Sequence, residues 1–426
     1  MTVTFFGASK AGELVTPGRE NAPVVAAASD EGERAIKSLQ LPAGFKAELF
    51  AAEPDLANPV AFDIDRQNRF WVAETFRLHA GVTDIRGKMS WLDEDLASRS
   101  VSDRLGMMKR HEGEQFATYD GNSDRIKLIL DTNGDGKADS SSVFAEGFGS
   151  AAEGLGAGVL SYNGKVYYTD LPNLWMLEDR DNNGVAERRT ALHYGFGVRV
   201  GFLGHDLHGL IMGPDGRLYF SIGDRGSNVQ VDGKQVGFPD TGCVFRCNPD
   251  GSELEVFAYG LRNPQELAFD QYGNLFTGDN NSDGGDKARI VYVVEGGDSG
   301  WRVGFQFLER PNARGPWNSE KMWHPQNETQ PEFLIPPIAN LSDGPSGFAY
   351  YPGTGLPAAY NEHFFLVDFH GARSSGIHSF ALKPSGAGFR LEQAEKFIWQ
   401  ALPTDVAFGP EGGIYFLDWV QGWGMT

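Results

Sequence analysis

Apolar positions along this chain fall into short runs separated by turns rich in Gly, Asp and Asn. One unit recurs six times: an apolar strand, such a turn, a second strand rich in aromatic residues, and a closing acid. Units of this size bury their apolar faces only by stacking on neighbours. The pattern therefore predicts an all-β fold, a six-bladed β-propeller whose hairpins open toward one face. The closing acids are Glu74, Asp170, Asp224, Asp279, Asp368 and Asp418.

The spacing of the units separates a propeller body from two long loop insertions. The predicted inner strands begin near residues 60, 158, 210, 267, 348 and 406, and the widest gaps hold the segments 76–118 and 300–345. Long irregular segments on a rigid scaffold are usually functional loops, so we expect a wall or lid over the propeller mouth. We expect residues 1–40 to be a flexible N-terminal arm and 41–426 to be the propeller, with 44–53 as a closing strand.

Composition narrows the classes of partner. The formal net charge of −20 argues against nucleic acid, which needs clustered Lys and Arg, and favours cations or neutral ligands. No apolar run is long enough for a transmembrane helix, and the first 40 residues lack a signal-peptide core. Cys243 and Cys247 lie in one predicted strand, too far apart for a disulfide, so we expect two structural thiols.

Two turns, 131–139 and 179–187, share the front half of a calcium-binding loop. Oxygen-bearing side chains occupy positions one, three and five, a glycine follows, and an acid stands at position nine. The acid expected at position twelve is replaced by Ser142 and Thr190. Weak calcium sites and plain Asx-type turns are both consistent with this pattern. The candidate ligands are Asp131, Asn133, Asp135, Asp139, Asp179, Asp181, Asn183 and Glu187.

Strand pairing in each hairpin brings the residues before its first strand next to the residues after its second. His205 precedes the run LIMG and Asp224 follows the run YFSIG, so these two are predicted to be adjacent. A carboxylate on one imidazole nitrogen leaves the other nitrogen as a base. His205 is therefore a candidate catalytic base. The alternatives are a satisfied structural histidine, or His208 in its place.

The other hairpins bring further polar groups to the same mouth. Six acids that converge there would repel one another unless cations, a metal or backbone N–H groups compensate them. For Glu74, Asp170 and Asp418 we expect backbone hydrogen bonds at the strand ends. The remaining candidates at the mouth are Arg262, Asn263, Gln265, Asp368, His370 and Arg373.

The segments HDLHGLIMGPDGRLYFSIGDRGSN, GLRNPQELAFDQYGNLFTGDNNSDGG and GGDSGW carry a resemblance to a known family. They resemble soluble quinoprotein glucose and sorbosone dehydrogenases, and most closely the propeller domain of the membrane-bound dehydrogenase proteins of planctomycetes and verrucomicrobia. The resemblance implies a six-bladed propeller with pyrroloquinoline quinone (PQQ) over the channel and calcium beneath it. It also implies a periplasmic or secreted location, and an electron acceptor such as a cytochrome.

The resemblance assigns roles residue by residue. It makes His205 the base and Asp224 the acid that orients it. It implies cofactor contacts for Arg262, Asn263 and Gln265, and calcium-binding backbone carbonyls at Asn281 and Ser282. The two arginines that clamp the quinone carboxylates in the family correspond here to Leu402 and Thr404. Arg225 and Arg373 are the nearest substitutes.

Three functions are consistent with these residues. The first is a calcium-dependent PQQ dehydrogenase that oxidises a sugar or alcohol. The second is a non-catalytic propeller that docks on glycans and stacks them on Trp301, Trp317 and Trp323. The third is a calcium-dependent lactone hydrolase that uses the acid ring as a metal site. Each predicts a small-molecule or glycan partner and no nucleic acid.

Overall fold

The computed structural model describes residues 23–324, 327 and 334–419. Within them, strands form six sheets that follow one another along the chain, together with one small hairpin. The innermost strands of the six sheets contact one another in a closed ring. This confirms the predicted six-bladed β-propeller.

The first two blades are four-stranded antiparallel sheets in simple sequence order. Blade one consists of β1 (Pro59–Ile64), β2 (Phe70–Glu74), β3 (Asp124–Leu130) and β4 (Ser140–Phe148). Blade two consists of β5 (Gly158–Tyr162), β6 (Lys165–Asp170), β7 (Asn173–Glu178) and β8 (Arg188–Tyr194).

Blades three and four each carry an excursion from this plan. Blade three consists of β9 (Leu207–Met212) and β10 (Leu218–Ile222), then a separate hairpin of β11 (Val229–Val231) and β12 (Lys234–Val236), then β13 (Gly242–Cys247) and β14 (Glu255–Leu261). Blade four consists of β15 (Pro264–Phe269), β16 (Leu275–Asp279), β17 (Arg289–Tyr292) and β18 (Ala339–Asn340). The second insertion, 300–345, begins after β17 and contains β18.

Blade five has four strands, and blade six has two within the described residues. Blade five consists of β19 (Pro345–Tyr350), β20 (His363–Asp368), β21 (Ser375–Ser385) and β22 (Gly388–Ala401). Blade six consists of β23 (Pro403–Phe408) and β24 (Ile414–Asp418). The ring closes between blades six and one, where the Phe62 backbone N–H donates to Asp405 at 2.8 Å.

Aromatic side chains fill the spaces between neighbouring blades. Phe276 of β16 meets Phe364 of β20 edge to face at 5.2 Å, and Phe364 stacks on Phe348 of β19 at 5.3 Å. Strand β2 is buried at every position, because it lies inside its sheet and between adjacent blades. The aromatic-rich second strand of each repeat is therefore the blade-to-blade core.

The N-terminal region differs from the expected arm and closing strand. Residues 1–22 lie outside the described residues, but helix α1 (Glu31–Ser38) is ordered against blade five. Arg373 holds it by donating to the Ala35 carbonyl and to Ser38 Oγ, which corrects the prediction of a flexible arm as far as residue 40. The segment 44–53 forms no regular strand, although its Phe45 packs against Phe397 of β22.

The first insertion is helical. It contains α2 (Leu92–Ala97) and α3 (Val101–Glu112), with short 3₁₀ turns at Ile85–Gly87, Met89–Trp91 and Gly113–Tyr119. Asp95 accepts hydrogen bonds from the Val200 and Gly201 N–H groups, so the insertion is fixed to the loop that leads into blade three. The second insertion contains a 3₁₀ turn, Val303–Phe307, and α4 (Pro316–Ser319), and another 3₁₀ turn lies at Ala358–Tyr360 in blade five.

Three carboxylates of the inner strands, Asp63, Glu266 and Asp405, line a channel cavity of about 560 Å³. Burial raises the pKa of Asp63 to about 7 and that of Asp405 to about 8, and it raises the pKa of Glu266 well above its usual value. Burial dominates because removing a carboxylate from water disfavours its charged form.

These carboxylates predict an unusual pH dependence of stability. Their pKa values in the folded protein exceed the usual 3.8 of an aspartate, so between there and about 8 the folded state binds more protons than the unfolded chain. The free energy of unfolding should therefore fall as the pH rises, by at most about 1.4 kcal/mol per pH unit for one group. Urea unfolding at about pH 5 and about pH 8 measures this.

The variant Asp405→Asn should flatten that pH profile, whereas the exposed control Asp232→Asn should leave it unchanged. A wild-type stability that stays level or rises across the window would show that these carboxylates are ionised in the fold.

Candidate active site

The imidazole of His205 and the carboxylate of Asp224 form a buried pair at the propeller mouth. His205 Nδ1 lies 2.7 Å from Asp224 Oδ1, and the two residues are 5% and 3% exposed. Gly223 permits this approach, because a side chain there would collide with His205 and Asn263. The pairing that the hairpin register predicts is present. Its geometry leaves His205 Nε2 as the nitrogen available to a ligand.

The second oxygen of Asp224 is held by a residue of the second insertion. Trp301 Nε1 donates to Asp224 Oδ2 at 2.8 Å, and Trp301 is fully buried. Burial alone would raise the pKa of Asp224, but His205, Arg262 and the Trp301 N–H together hold that pKa below its usual value. Asp224 is therefore a carboxylate with a hydrogen-bond partner on each oxygen.

The guanidinium of Arg262 lies at the same mouth and is only partly satisfied. Its Nε donates to Gln306 Oε1 at 2.9 Å, and its Nη2 donates to Asp283 Oδ2 at 2.7 Å. Its Nη1 is buried without a partner, as is Oδ1 of Asn263. An unpaired buried donor and acceptor are costly, and they are typical of a site that a ligand completes.

One carbonyl positions three other polar side chains. Gly204 O accepts hydrogen bonds from Asn263 Nδ2 at 3.2 Å, Gln265 Nε2 at 3.4 Å and His208 Nε2 at 3.0 Å. Burial lowers the pKa of His208, so this imidazole is neutral at neutral pH. His208 lacks the carboxylate that accompanies His205, which makes His205 the better base.

A cavity of about 370 Å³ collects these groups. The starts of the inner strands form its floor, and loops of blades one, three, four and five form its wall. Its volume is within the range of small-molecule sites. The polar residues used below that line it are Arg86, His205, His208, Arg262, Asn263, Gln265, Asn281, Asp283 and Thr404.

The remaining closing acids are structural. Each accepts a backbone N–H just before the inner strand of its own hairpin, as expected for Glu74, Asp170 and Asp418. Arg125 and Arg289 also neutralise Glu74 and Asp279. The backbone therefore holds these five acids, and Asp368 in addition forms, with Asp343 and His370, a group whose possible ligand atoms lie within 4.8 Å of one another. The bonds are Ala57 N to Glu74, Gly154 N to Asp170, Asn263 N to Asp279, Asp343 N to Asp368 and Leu402 N to Asp418.

Two residues predicted to contact the cofactor lie elsewhere. Arg225 is buried and donates to Asp206 at 2.5 Å, outside the lining of the mouth cavity. Arg373 donates to Asp418 at 3.2 Å and to the Gln400 carbonyl, beside α1. The prediction that they replace the clamp arginines gains no support from these contacts, because both guanidinium groups are paired with acids of the chain and neither lines the cavity, although Asp206 does. Thr404 lines the cavity but carries no charge.

Of the two residues predicted to bind the cofactor calcium through their carbonyls, one lines the cavity and the other is engaged by an arginine. Asn281 lines the cavity, but the Ser282 carbonyl accepts from Arg314 Nε at 2.6 Å. A cation would be repelled there by the guanidinium, which corrects the assignment of Ser282. His370 lies instead between Asp368 and Asp343, at 2.9 and 3.5 Å.

The two calcium-like turns are not equivalent. In the second, ligand oxygens of Asp179, Asp181 and Glu187 lie within 4.8 Å of one another. In the first, Asp131 accepts from the Gly134 and Gly136 N–H groups, as in an Asx-type turn. Calcium binding at either turn, including through Asn133, Asp135, Asp139 and Asn183, stays a prediction.

The proposed aromatic platform for glycans is largely internal. Trp301 and Trp317 are buried and meet edge to face at 5.1 Å, and Trp317 packs on Trp323. This corrects their assignment as stacking surfaces, because buried faces cannot receive a sugar ring.

Sequence reasoning missed the contacts that support the site from outside the repeats, although it named Trp301 as a surface for stacking glycans. Trp301 and Gln306 come from the second insertion, and Arg86 comes from the first. The only sequence signal was the tryptophan of GGDSGW beside the matched motifs.

The chain is a six-bladed propeller whose mouth cavity is bordered by a buried imidazole–carboxylate pair and a partly satisfied guanidinium. The profile described as "Domain of unknown function (DUF7133)" matches residues 31–423, so the chain belongs to that family. None of the helices among the described residues has the length and apolar character that crossing a bilayer requires.

Quinoproteins are among the known proteins that this chain resembles in sequence or fold. Quinoprotein glucose dehydrogenase B of Acinetobacter calcoaceticus is 29% identical over 125 residues, which is 23% of this chain and 26% of that enzyme. PQQ-bound aldose sugar dehydrogenase from Streptomyces coelicolor has a TM-score of 0.53 at 16% identity, over 91% of this chain and 94% of that one. The holo PQQ domain of Coprinopsis cinerea pyranose dehydrogenase also scores 0.53, at 10% identity over 90% and 95%. The structural matches establish the fold.

Proposed function

We propose that this protein is a PQQ-dependent dehydrogenase that oxidises a hydroxyl group of a sugar or a related alcohol. The observation that carries the proposal is the buried His205–Asp224 pair beside the unpartnered Nη1 of Arg262 in one cavity. The similarity to quinoprotein glucose dehydrogenase B, which lies in part of the chain, supports the same reading.

The cavity residues fit a quinone cofactor. Oxygen atoms of the cofactor, on the quinone or on its carboxylates, are acceptors for Arg262 Nη1, which is buried and without a partner. Asn263 and Gln265 are anchored on the Gly204 carbonyl beside it. These three residues would hold the cofactor, which when bound supplies the acceptor of a hydride, and with it of two electrons.

The protein groups handle the substrate proton. Asp224 accepts from His205 Nδ1–H and stabilises the imidazolium, so His205 Nε2 takes the hydroxyl proton as the C–H bond is oxidised. Trp301 keeps Asp224 in place, and Gln306 does the same for Arg262. Low exposure of the pair strengthens these interactions and excludes water.

The two alternative functions lose their support. A glycan-docking propeller needs exposed tryptophans, and two of the three are buried. A lactone hydrolase needs a metal held by several acids of the ring, whereas among the closing acids Asp368 is the one in a group of possible metal ligands, with Asp343 and His370. A periplasmic or secreted location and a cytochrome acceptor remain predictions from the resemblance.

Reconstitution tests the proposal directly. Purified protein mixed with PQQ, with and without calcium, should bind the quinone, as shown by its absorption spectrum and by native mass. The complex should then reduce an artificial dye when aldoses or alcohols are added. Full quinone binding with no dye reduction across a panel of such substrates would reject a dehydrogenase, and no quinone binding would reject the cofactor.

A further inference from the structure

Two guanidinium groups lie against one aromatic ring at the mouth. The Cζ atom of Arg86 is 4.3 Å from the ring centroid of Phe202, and that of Arg262 is 5.6 Å from it. The same ring is 5.5 Å from the imidazole of His205. Among the described residues that line the mouth cavity, Arg86 and Arg262 are the two with permanently charged cationic side chains. Two guanidinium groups therefore lie beside the predicted base, each paired with one carboxylate, Asp84 or Asp283.

Arg86 is oriented by its neighbours rather than free to move. Its Nε and Nη2 donate to Asp84 at 2.9 and 2.6 Å, and Asp84 also accepts from the Leu203 N–H at 2.9 Å. The loop that carries Phe202 and His205 thus fixes the guanidinium. These bonds engage Nε and Nη2, and the Arg86 side chain is 53% exposed.

Arg262 supplies an independent sign of a ligand. Its side chain is 1% exposed, yet Nη1 has no partner. A buried guanidinium N–H pays its full desolvation penalty unless an acceptor arrives. Guanidinium groups recognise carboxylates through paired N–H donors, so the acceptor that best matches the chemistry is a carboxylate oxygen.

The protein already places one carboxylate of its own at this point. Asp283 Oδ2 accepts from Arg262 Nη2 at 2.7 Å, and the Asp283 side chain is 50% exposed. The backbone of Asp283 is left-handed, with φ of 56°, which aspartate tolerates better than most residues. Asp283 is therefore a half-exposed carboxylate in the cavity lining, which an incoming anion would meet at Arg262.

We propose that Arg86 and Arg262 form a carboxylate-binding subsite around Phe202, with Asp283 as the internal carboxylate that the ligand joins or displaces. The proposal rests on the proposed function, because the ligand carboxylate belongs either to the quinone cofactor or to an acidic sugar substrate. In the family that the sequence resembles, two arginines stand at the positions of Leu402, which is buried, and Thr404, which is uncharged. The subsite would replace the charge that is missing at these two positions. The cation that the last blade lacks is supplied by the first insertion.

Binding, not turnover, tests this subsite. PQQ is titrated into cofactor-free protein in one arm, with tryptophan fluorescence as the signal. Glucuronate and its neutral counterpart glucose are titrated in a second arm by calorimetry. Arg86→Gln should weaken binding of the carboxylate ligand by about 10–100-fold, since a hydrogen bond to a charged group contributes about 1.5–3 kcal/mol. Asp283→Asn should strengthen it several-fold by removing the competing anion.

The matched control is Arg110→Gln, an exposed arginine of α3 in the same insertion, which should leave both titrations unchanged. An Arg86 effect confined to PQQ identifies the cofactor as the source of the carboxylate. An effect confined to glucuronate, with glucose unaffected, identifies an acidic sugar. Both outcomes support the subsite.

The failures of the two proposals are distinguishable. The subsite is overturned if the Arg86→Gln and Asp283→Asn variants bind PQQ as tightly as the wild type and if the wild type does not prefer glucuronate to glucose. The dehydrogenase proposal would be unaffected by that result. Wild-type protein that binds no PQQ overturns the dehydrogenase. The subsite then stands only if glucuronate binding depends on Arg86.

Discussion

Replacing His205 by asparagine is expected to lower the dye-reduction rate of the PQQ-loaded protein by about 10²–10⁴-fold, the usual contribution of a positioned general base. Asparagine is similar in size and keeps a polar group beside Asp224, but it has no nitrogen that can take a proton at neutral pH. Quinone binding should persist, because Arg262, Asn263 and Gln265 are unchanged. The loss should therefore appear in kcat rather than in cofactor affinity.

Two companion variants make this result specific. His111→Asn alters a histidine on α3 that does not line the mouth cavity, and it should keep the wild-type rate. His208→Asn removes a hydrogen bond to the Gly204 carbonyl and should give a smaller loss than His205→Asn. A full rate in fully loaded His205→Asn, or a larger loss in His208→Asn, would show that the base is misassigned.

The blades and the pairing of His205 with Asp224 are the parts of the structure that the sequence predicts. The six repeats predict the blades because an apolar strand pair with a closing acid can be buried only by a neighbour. Register then places His205 beside Asp224, since hairpin partners are determined by the turn. Both inferences depend on the backbone alone, and the structure contains both arrangements.

Side-chain direction is where the same reasoning fails. Arg225 follows Asp224 directly, and Arg373 lies in the mouth region of blade five, so sequence proximity suggested both as cofactor contacts. Their guanidinium groups turn instead to Asp206 and Asp418. Which of several nearby carboxylates an arginine pairs with depends on packing, and a repeat pattern carries no such information.

The insertions escape prediction for a different reason. Trp301, Gln306 and Arg86 lie in segments without a strand or helix period at their positions, so no register relates them to the site. The structure brings them to Asp224, Arg262 and Phe202. An irregular insertion can be identified as important by its length, but its contacts require coordinates.

Trp301 also determines the outcome of a second large-effect substitution, Asp224→Asn. The indole Nε1–H can only donate, so it draws the amide oxygen of the new asparagine and leaves the NH₂ group facing His205 Nδ1. That nitrogen must then accept, which places the imidazole proton on Nε2 and removes the base. We expect a loss of up to about 10⁴-fold in kcat, as in other imidazole–carboxylate pairs forced into the wrong tautomer.

Adding Trp301→Phe to Asp224→Asn should then recover part of the lost activity. Without the indole donor, the amide can rotate so that its oxygen accepts from His205 Nδ1–H and Nε2 again becomes the base. Steady-state rates and the ¹⁵N shifts of the His205 ring report activity and tautomer separately, and Trp301→Phe alone serves as the reference for lost packing. A double variant no better than Asp224→Asn, with its Nε2 still protonated, would mean that Trp301 does not orient this carboxylate. Because independent defects combine additively, recovery requires the indole and the carboxylate to act as one unit.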